Sequence, residues 1–164
     1  MKPARYRDIR TAEIPQLKLP HSGDVKVIAG TLELVDLTAS GPVNGHGAKL
    51  STDPLYLDVR LPAGAEFSAS VATGHNAFLY TYEGSAEVGT PGAAGPLPHR
   101  AAGVLSDGDS VRVQAGAEGA RFLLVAAKPV REPVVQYGPF VMNTREEIEQ
   151  ALADYRNGRL AVAA

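Results

Sequence analysis

The chain contains no cysteine and no tryptophan among its 164 residues. Without cysteine there is no disulfide and no thiolate metal site, so a disulfide-stapled scaffold and a cysteine-held zinc are both excluded. Basic runs are missing as well: 16 Lys and Arg stand against 18 Asp and Glu, for a formal charge of -2, and the cations are scattered. That leaves no electrostatic footprint for nucleic acid, and direct binding to it is not expected. Nor is there a stretch approaching the ~18 apolar residues that a membrane-spanning helix needs, or an apolar signal core near Met1. The expectation is a cytoplasmic, non-membrane protein.

What is present is punctuation. Seventeen Gly and twelve Pro separate short apolar runs, the pattern of an all-β sandwich or barrel, and the length suits one domain that buries its own core. Residues 1–20 are expected to be an irregular arm, since Pro3, Pro15 and Pro20 oppose regular structure. Alternation predicts strands over 25–29, 32–37, 55–61, 66–71, 76–82, 86–88, 110–114 and 121–127. In the clearest of them Leu55, Leu57, Val59 and Leu61 share one face. Glu83-Gly84-Ser85 is expected to turn a hairpin, Asn44-Gly45-His46-Gly47 to form a loop, and residues 89–99 to be a poorly structured, mobile excursion.

The tail is the most specific stretch. Pro129 and Pro133 bracket an extended Arg131-Glu132 pair, which either forms an ion pair or anchors the tail. Tyr137-Gly138-Pro139 predicts a turn, and Thr144 with Glu147 makes a capping box. Ile148, Ala151, Leu152 and Tyr155 then recur at helical spacing, and Gly158 after Asn157 supplies a left-handed stop. This succession of Arg-Glu-Pro-Val, Tyr-Gly-Pro-Phe-Val-Met-Asn-Thr and a Glu-rich helix ending Asp-Tyr-Arg-Asn-Gly resembles the end of the pirin family. Residues 5–9, 27–30, 61–64 and 74–80 resemble the second half of a pirin in weaker form.

The resemblance implies a mainly β fold: a single cupin-like jelly-roll antiparallel β-barrel over residues 21–142, a C-terminal α-helix over 143–158 and a tail over 159–164. Pirins carry two such barrels in tandem, with iron-binding histidines in the first, and only the second is matched here. Met1-Lys2-Pro3 before Arg5-Tyr6 resembles the linker between the barrels. Both a natural single-domain relative and a piece of a longer pirin remain open.

The cupin metal motifs can be laid on the chain by their spacing. From Gly64 the two histidine positions fall on Ser70 and Ala72, the glutamate position on Ala77 and the closing glycine on Gly84; from Gly108 the last histidine position falls on Gly119. A divalent metal needs about three or four imidazole, carboxylate or thiolate ligands. Ser, Ala, Ala and Gly supply none, so no catalytic residue, metal or cofactor is expected. The small side chains are instead expected to line an apolar, ligand-sized pocket with Phe78, Tyr80 and His75 beside them. Phe78, Tyr80 and Tyr82 share a parity and form either a core stripe or an aromatic wall, with core the favoured reading. His75 reads as a turn residue whose ring bonds a backbone carbonyl, against an acid–base alternative. His21, His46 and His99 read as solvated, and Asp107-Gly108-Asp109 as a turn.

Three functions follow from the resemblance. The leading one is a metal-free interaction module that docks on a metal-bearing cupin partner or on a second copy as a homodimer. The second is part of a pirin-type quercetin dioxygenase whose metal site lies on the missing barrel, and the third is a small-molecule-sensing or transcription-linked regulator. In each, this chain alone is expected to be catalytically silent.

Overall fold

A computed structural model describes residues 7–19, 23–43 and 50–160. The loop expected over 44–47, with His46, and also His21, lie outside the described residues. Two compact units are distinguished, a β unit over Ile9–Pro129 and a tail unit that groups the residues before Ile9 with those from Val130 onward.

The β unit contains β1 Gln16–Lys18, β2 Asp24–Ala29, β3 Thr31–Leu34, β4 Leu37–Ser40, β5 Leu55–Leu61, β6 Glu66–Ser70, β7 Asn76–Val88, β8 Gly95–Leu97, β9 Ala101–Val104 and β10 Ser110–Ala127. Its main sheet runs β1-β2-β5-β10-β7-β8, with β6 joined to β10 and β9 joined to β7, while β3 and β4 form a separate hairpin. Two long strands organise it. The first part of β7 and the last part of β10 lie between β9 and β5, whereas the last part of β7 and the first part of β10 lie between β8 and β6. A register shift between Ala115 and Ala120 marks where β10 changes from one set of neighbours to the other.

The two halves fold over one core. Phe67 on β6 meets Phe122 on β10 edge to face, with ring centroids 6.1 Å apart, and Val25, Val27, Leu57, Val59, Leu79, Val113 and Leu124 are fully buried with them. Alternation accounts for this, because side chains two apart share a strand face: β5 buries Leu57, Val59 and Leu61, as its sequence predicts.

The expected barrel is not formed. Among the described residues no sheet closes on itself: β1 and β8 end the strand path unpaired with each other. Closure would require the terminal strands to exchange hydrogen bonds. The short strands β8 and β9 instead each pair with a different part of β7. The result is an open, folded-over antiparallel sheet with jelly-roll-like topology.

Four local expectations are corrected too. Glu83-Gly84-Ser85 is no hairpin, since β7 runs through it. Gly84 and Gly119 lie back to back with φ of +66° and +81°, and a Cβ on Gly84 would overlap the Gly119 carbonyl oxygen. The run 32–37 breaks at Val35-Asp36, where β3 turns into β4. Residues 89–99 hold β8, whose Leu97 is buried. The N-terminal arm is likewise not wholly irregular, because β1 pairs with β2.

The tail unit follows its local signals. β11 Val135–Tyr137 and β12 Phe140–Met142 pair around Gly138-Pro139, and α1 spans Arg145–Arg156. Thr144 caps α1: the Glu147 amide donates to Thr144 Oγ1 at 3.2 Å, while Glu147 Oε2 accepts from the Thr144 amide at 3.1 Å. Ile148 and Ala151 are buried, and Tyr155 packs edge-on to Phe140 at 6.2 Å. Asn143 Nδ2 donates to Glu132 Oε2 and to the Pro133 carbonyl at 3.0 and 2.9 Å, so Glu132 ties down the bend within the tail. Among the described residues no helix is long and apolar enough to cross a membrane.

Candidate functional site

The seven residues singled out by sequence do not converge. Ser70 ends β6 with its side chain exposed, and Ala72 is exposed in the turn that follows. The inward positions there belong to Ala69 and Val71, which are buried. Ser70 was expected inside. The two-residue strand period puts it outside once Phe67 takes a core position. Ala77 is buried and pairs with Ala126 across the β7–β10 ladder. Gly119 is buried elsewhere, by the β-bulge: a Cβ on it would lie 2.7 Å from the Leu61 carbonyl oxygen.

The aromatic stripe is reversed as well. Ala77, Leu79 and Thr81 point inward on β7, whereas Phe78 is 41% exposed and Tyr80 and Tyr82 are half-buried. The core reading of Phe78, Tyr80 and Tyr82 is therefore corrected. The misleading residue is Thr81, a polar side chain that is wholly buried and whose hydroxyl has no partner among the described residues.

Three of the seven do meet. Ser70, Ala72 and His75 border a cavity of about 200 Å³ that Thr31, Asp53 and Ala126 also line. His75 follows Gly74 in a turn closed by its own amide, which donates to the Ala72 carbonyl at 3.0 Å. The turn expected at His75 is thus made by the main chain. Asp53, which sequence reasoning missed, sits at φ +42° just before β5; Thr52-Asp53-Pro54 is the turn-forming signal that marks it.

These residues do not fit a cupin metal. His75 and Asp53 are the two conventional ligands at the cavity, and no group of three His, Cys, Asp or Glu suited to a metal ion occurs among the described residues. The inward neighbours Ala69, Val71 and Ala77 carry no donor atom.

A separate polar network lies on the outer face of the sheet. Tyr82 Oη donates to Asp58 Oδ1 at 2.5 Å, and Arg121 lies 5.2 Å over the Tyr82 ring while pairing with Glu83 at 3.1 Å. Burial, followed by the hydrogen bond and negative charge of Asp58, pushes the Tyr82 phenol up to about 12. The pKa of Arg121 is also raised: burial works against its charged form, but Tyr82, Glu83 and Asp58 outweigh it. At neutral pH the phenol keeps its proton, so this network holds strands together and is not poised for acid–base work. The strand register extends it into a row of charges, Lys18, Asp24, Arg60, Arg121 and Glu83, beside a cleft of about 310 Å³.

Comparison with known proteins places these features in a family. Residues 56–161 match the pirin C-terminal cupin domain. A Pseudomonas aeruginosa protein with the provisional name quercetin 2,3-dioxygenase is 44% identical over 163 residues, covering 99% of this chain and 55% of that protein. Human pirin is 38% identical over 159 residues, covering 94% of this chain and 50% of pirin. In structure, the chain resembles a quercetin 2,3-dioxygenase from Acinetobacter baumannii with a TM-score of 0.78 and 30% identity, over 98% of this chain and 52% of the enzyme. The chain therefore spans about half the length of the curated relatives it matches.

Proposed function

The chain belongs to the pirin family, matching its C-terminal cupin domain, and on that premise we propose that it serves as the metal-free half of a pirin-type quercetin 2,3-dioxygenase. A metal-bearing cupin would complete it, supplied by a longer polypeptide or by a second chain. One observation carries this reading: the chain matches half of each relative, and where its candidate residues meet, Ser70, Ala72 and His75 offer no three-ligand set. Oxygen chemistry belongs to a metal or cofactor, so this half contributes docking and shape. Relatives that carry the dioxygenase name favour this over an independent interaction module. We assign it to the cytoplasm, in keeping with the absence of cysteine.

The test is to purify the chain alone and together with the half of the Pseudomonas relative that it does not match, measuring bound metal by elemental analysis and quercetin loss by absorbance. The chain alone should hold no stoichiometric metal and leave quercetin intact, and it should co-purify with the other half. Stoichiometric iron or quercetin turnover on the isolated chain would overturn the reading, as would failure of the two halves to associate.

A further inference from the structure

In the main sheet β1, β6, β8 and β9 each pair on one side only among the described residues. A free strand edge can join another chain, and proteins commonly block it with charge or proline. Three of these edges are blocked. Pro15 precedes β1 and Lys18 ends it, Glu66 begins β6, and β8 contains Pro96. β9, Ala101-Ala102-Gly103-Val104, carries neither charge nor proline.

The direction of its backbone groups follows from one bond. Just past β9, the Leu105 amide donates to the Ala77 carbonyl of β7 at 2.9 Å, although hydrogen-bonding direction alternates along an antiparallel strand. Ala101 and Gly103 therefore face β7 as Leu105 does. The N–H and C=O groups of Ala102 and Val104 point to the free side. Their side chains are exposed too: Val104 is 87% accessible and stands beside Phe78, which is 41% accessible.

This segment complements its own reverse. Set antiparallel about a two-fold axis at Gly103, Ala102 of each copy meets Val104 of the other, and the outward groups of both satisfy one another. The two glycines meet on the axis without side chains to clash. Val104 gains Ala102 and Tyr80 of the second copy as neighbours on the exposed face, since Tyr80 pairs with Ala102 within each chain. At the ends, Arg100 falls opposite Ser106 and next to Asp107 of the second copy. Neither charge has an ion-pair partner of its own among the described residues, and the symmetry forms the new pair twice.

From this self-complementarity we propose that β9 is a self-association edge, where a second copy of the chain adds its own β9 and the two main sheets become one. The interface is small, so the dimer belongs to the weak, transient class. This surface goes beyond the dioxygenase reading and does not rest on it.

Sedimentation of the full chain from about 10 μM to about 1 mM, the span in which weak association is read, should show a reversible monomer–dimer equilibrium. Hydrogen exchange should slow with concentration at the Ala102 and Val104 amides and stay constant at Gly103 and Leu105. Ala102→Pro removes a donor that β7 does not use and should weaken the dimer by about tenfold or more, because each dimer loses the bond twice. Arg100→Asp, at a φ of +57° that aspartate tolerates, should weaken it as well, and Asp107→Arg added to the same chain should restore it. A chain that stays monomeric throughout, a folded Ala102→Pro that dimerises like the parent, a double variant that stays weak, or protection at another surface overturns the proposal. So does protection of Ala102 and Val104 that appears only on adding the unmatched half of the Pseudomonas relative, since that gives the edge to that partner. The exchange measurement on the parent decides the matter even if a variant does not fold.

Discussion

Gly84→Ala tests how the folded-over sheet is held. Two costs act at this position. A residue with a Cβ at φ +66° loses roughly 1–2 kcal/mol in the left-handed region. The new methyl also overlaps the Gly119 carbonyl oxygen, which belongs to the backbone of β10 and cannot swing aside. Such overpacking costs about 1–3 kcal/mol, for a total of about 2–5 kcal/mol, a large part of the stability of an ordinary domain. Gly92→Ala is the matched control, with φ +86° but open space around the added carbon; it should show only the backbone cost of about 1–2 kcal/mol. Urea unfolding separates them, because at a slope of about 2 kcal/mol per molar the midpoint should fall by about 1–2.5 M for Gly84→Ala and by about 0.5–1 M for the control. Equal losses in the two variants would refute the argument that close strand approach, and not φ alone, demands glycine at the bend.

Thr81→Val removes a buried hydroxyl that has no partner among the described residues and keeps the shape, so it should raise stability by about 1 kcal/mol; a thermal midpoint that falls would show that the hydroxyl is bonded. Thr144→Ala deletes the N-cap of α1 and should cost about 1 kcal/mol, read as faster amide exchange in the first turn of the helix, and unchanged exchange would count against the cap. Tyr82 retains its proton to higher pH when folded than when unfolded, so its contribution to stability is complete below about 10, the ordinary tyrosine value. That contribution is lost as pH rises through about 12. The absorbance difference at alkaline pH between the parent and Tyr82→Phe should have its midpoint near 12, and Asp58→Asn should bring it down; a midpoint near 10 in the parent would remove the Asp58 contact from the account.

Parts of this molecule are legible because their causes are local. Thr144 and Glu147 cap each other within one turn, Gly138-Pro139 reverses the chain in two residues, and Leu57, Val59 and Leu61 declare a core face by simple alternation. Elsewhere local chemistry is ambiguous. Glycine looks the same in a hairpin and at a bend in a continuous strand, and what distinguishes Gly84 is Gly119 on the neighbouring strand. Parity groups Phe78 with Tyr80 and Tyr82 correctly but cannot say which side of β7 is covered. The pairing with β10 and β9 turns Leu79 and Thr81 inward. Motif spacing failed at the candidate site for the same reason: it placed Ser70 inside and grouped Gly119 with Ala72, although the strands carry them to different places.

The sequence by itself determined the family, the strand periodicity and the capped helix, because each depends on residue identity or on neighbours a few positions away. Only the tertiary structure decided that the sheet stays open, that His75 and Asp53 share a cavity, and that Gly84 meets Gly119 on the neighbouring strand. Those outcomes rest on strand pairings between residues far apart in the chain, where a shift of one position turns every side chain to the opposite face.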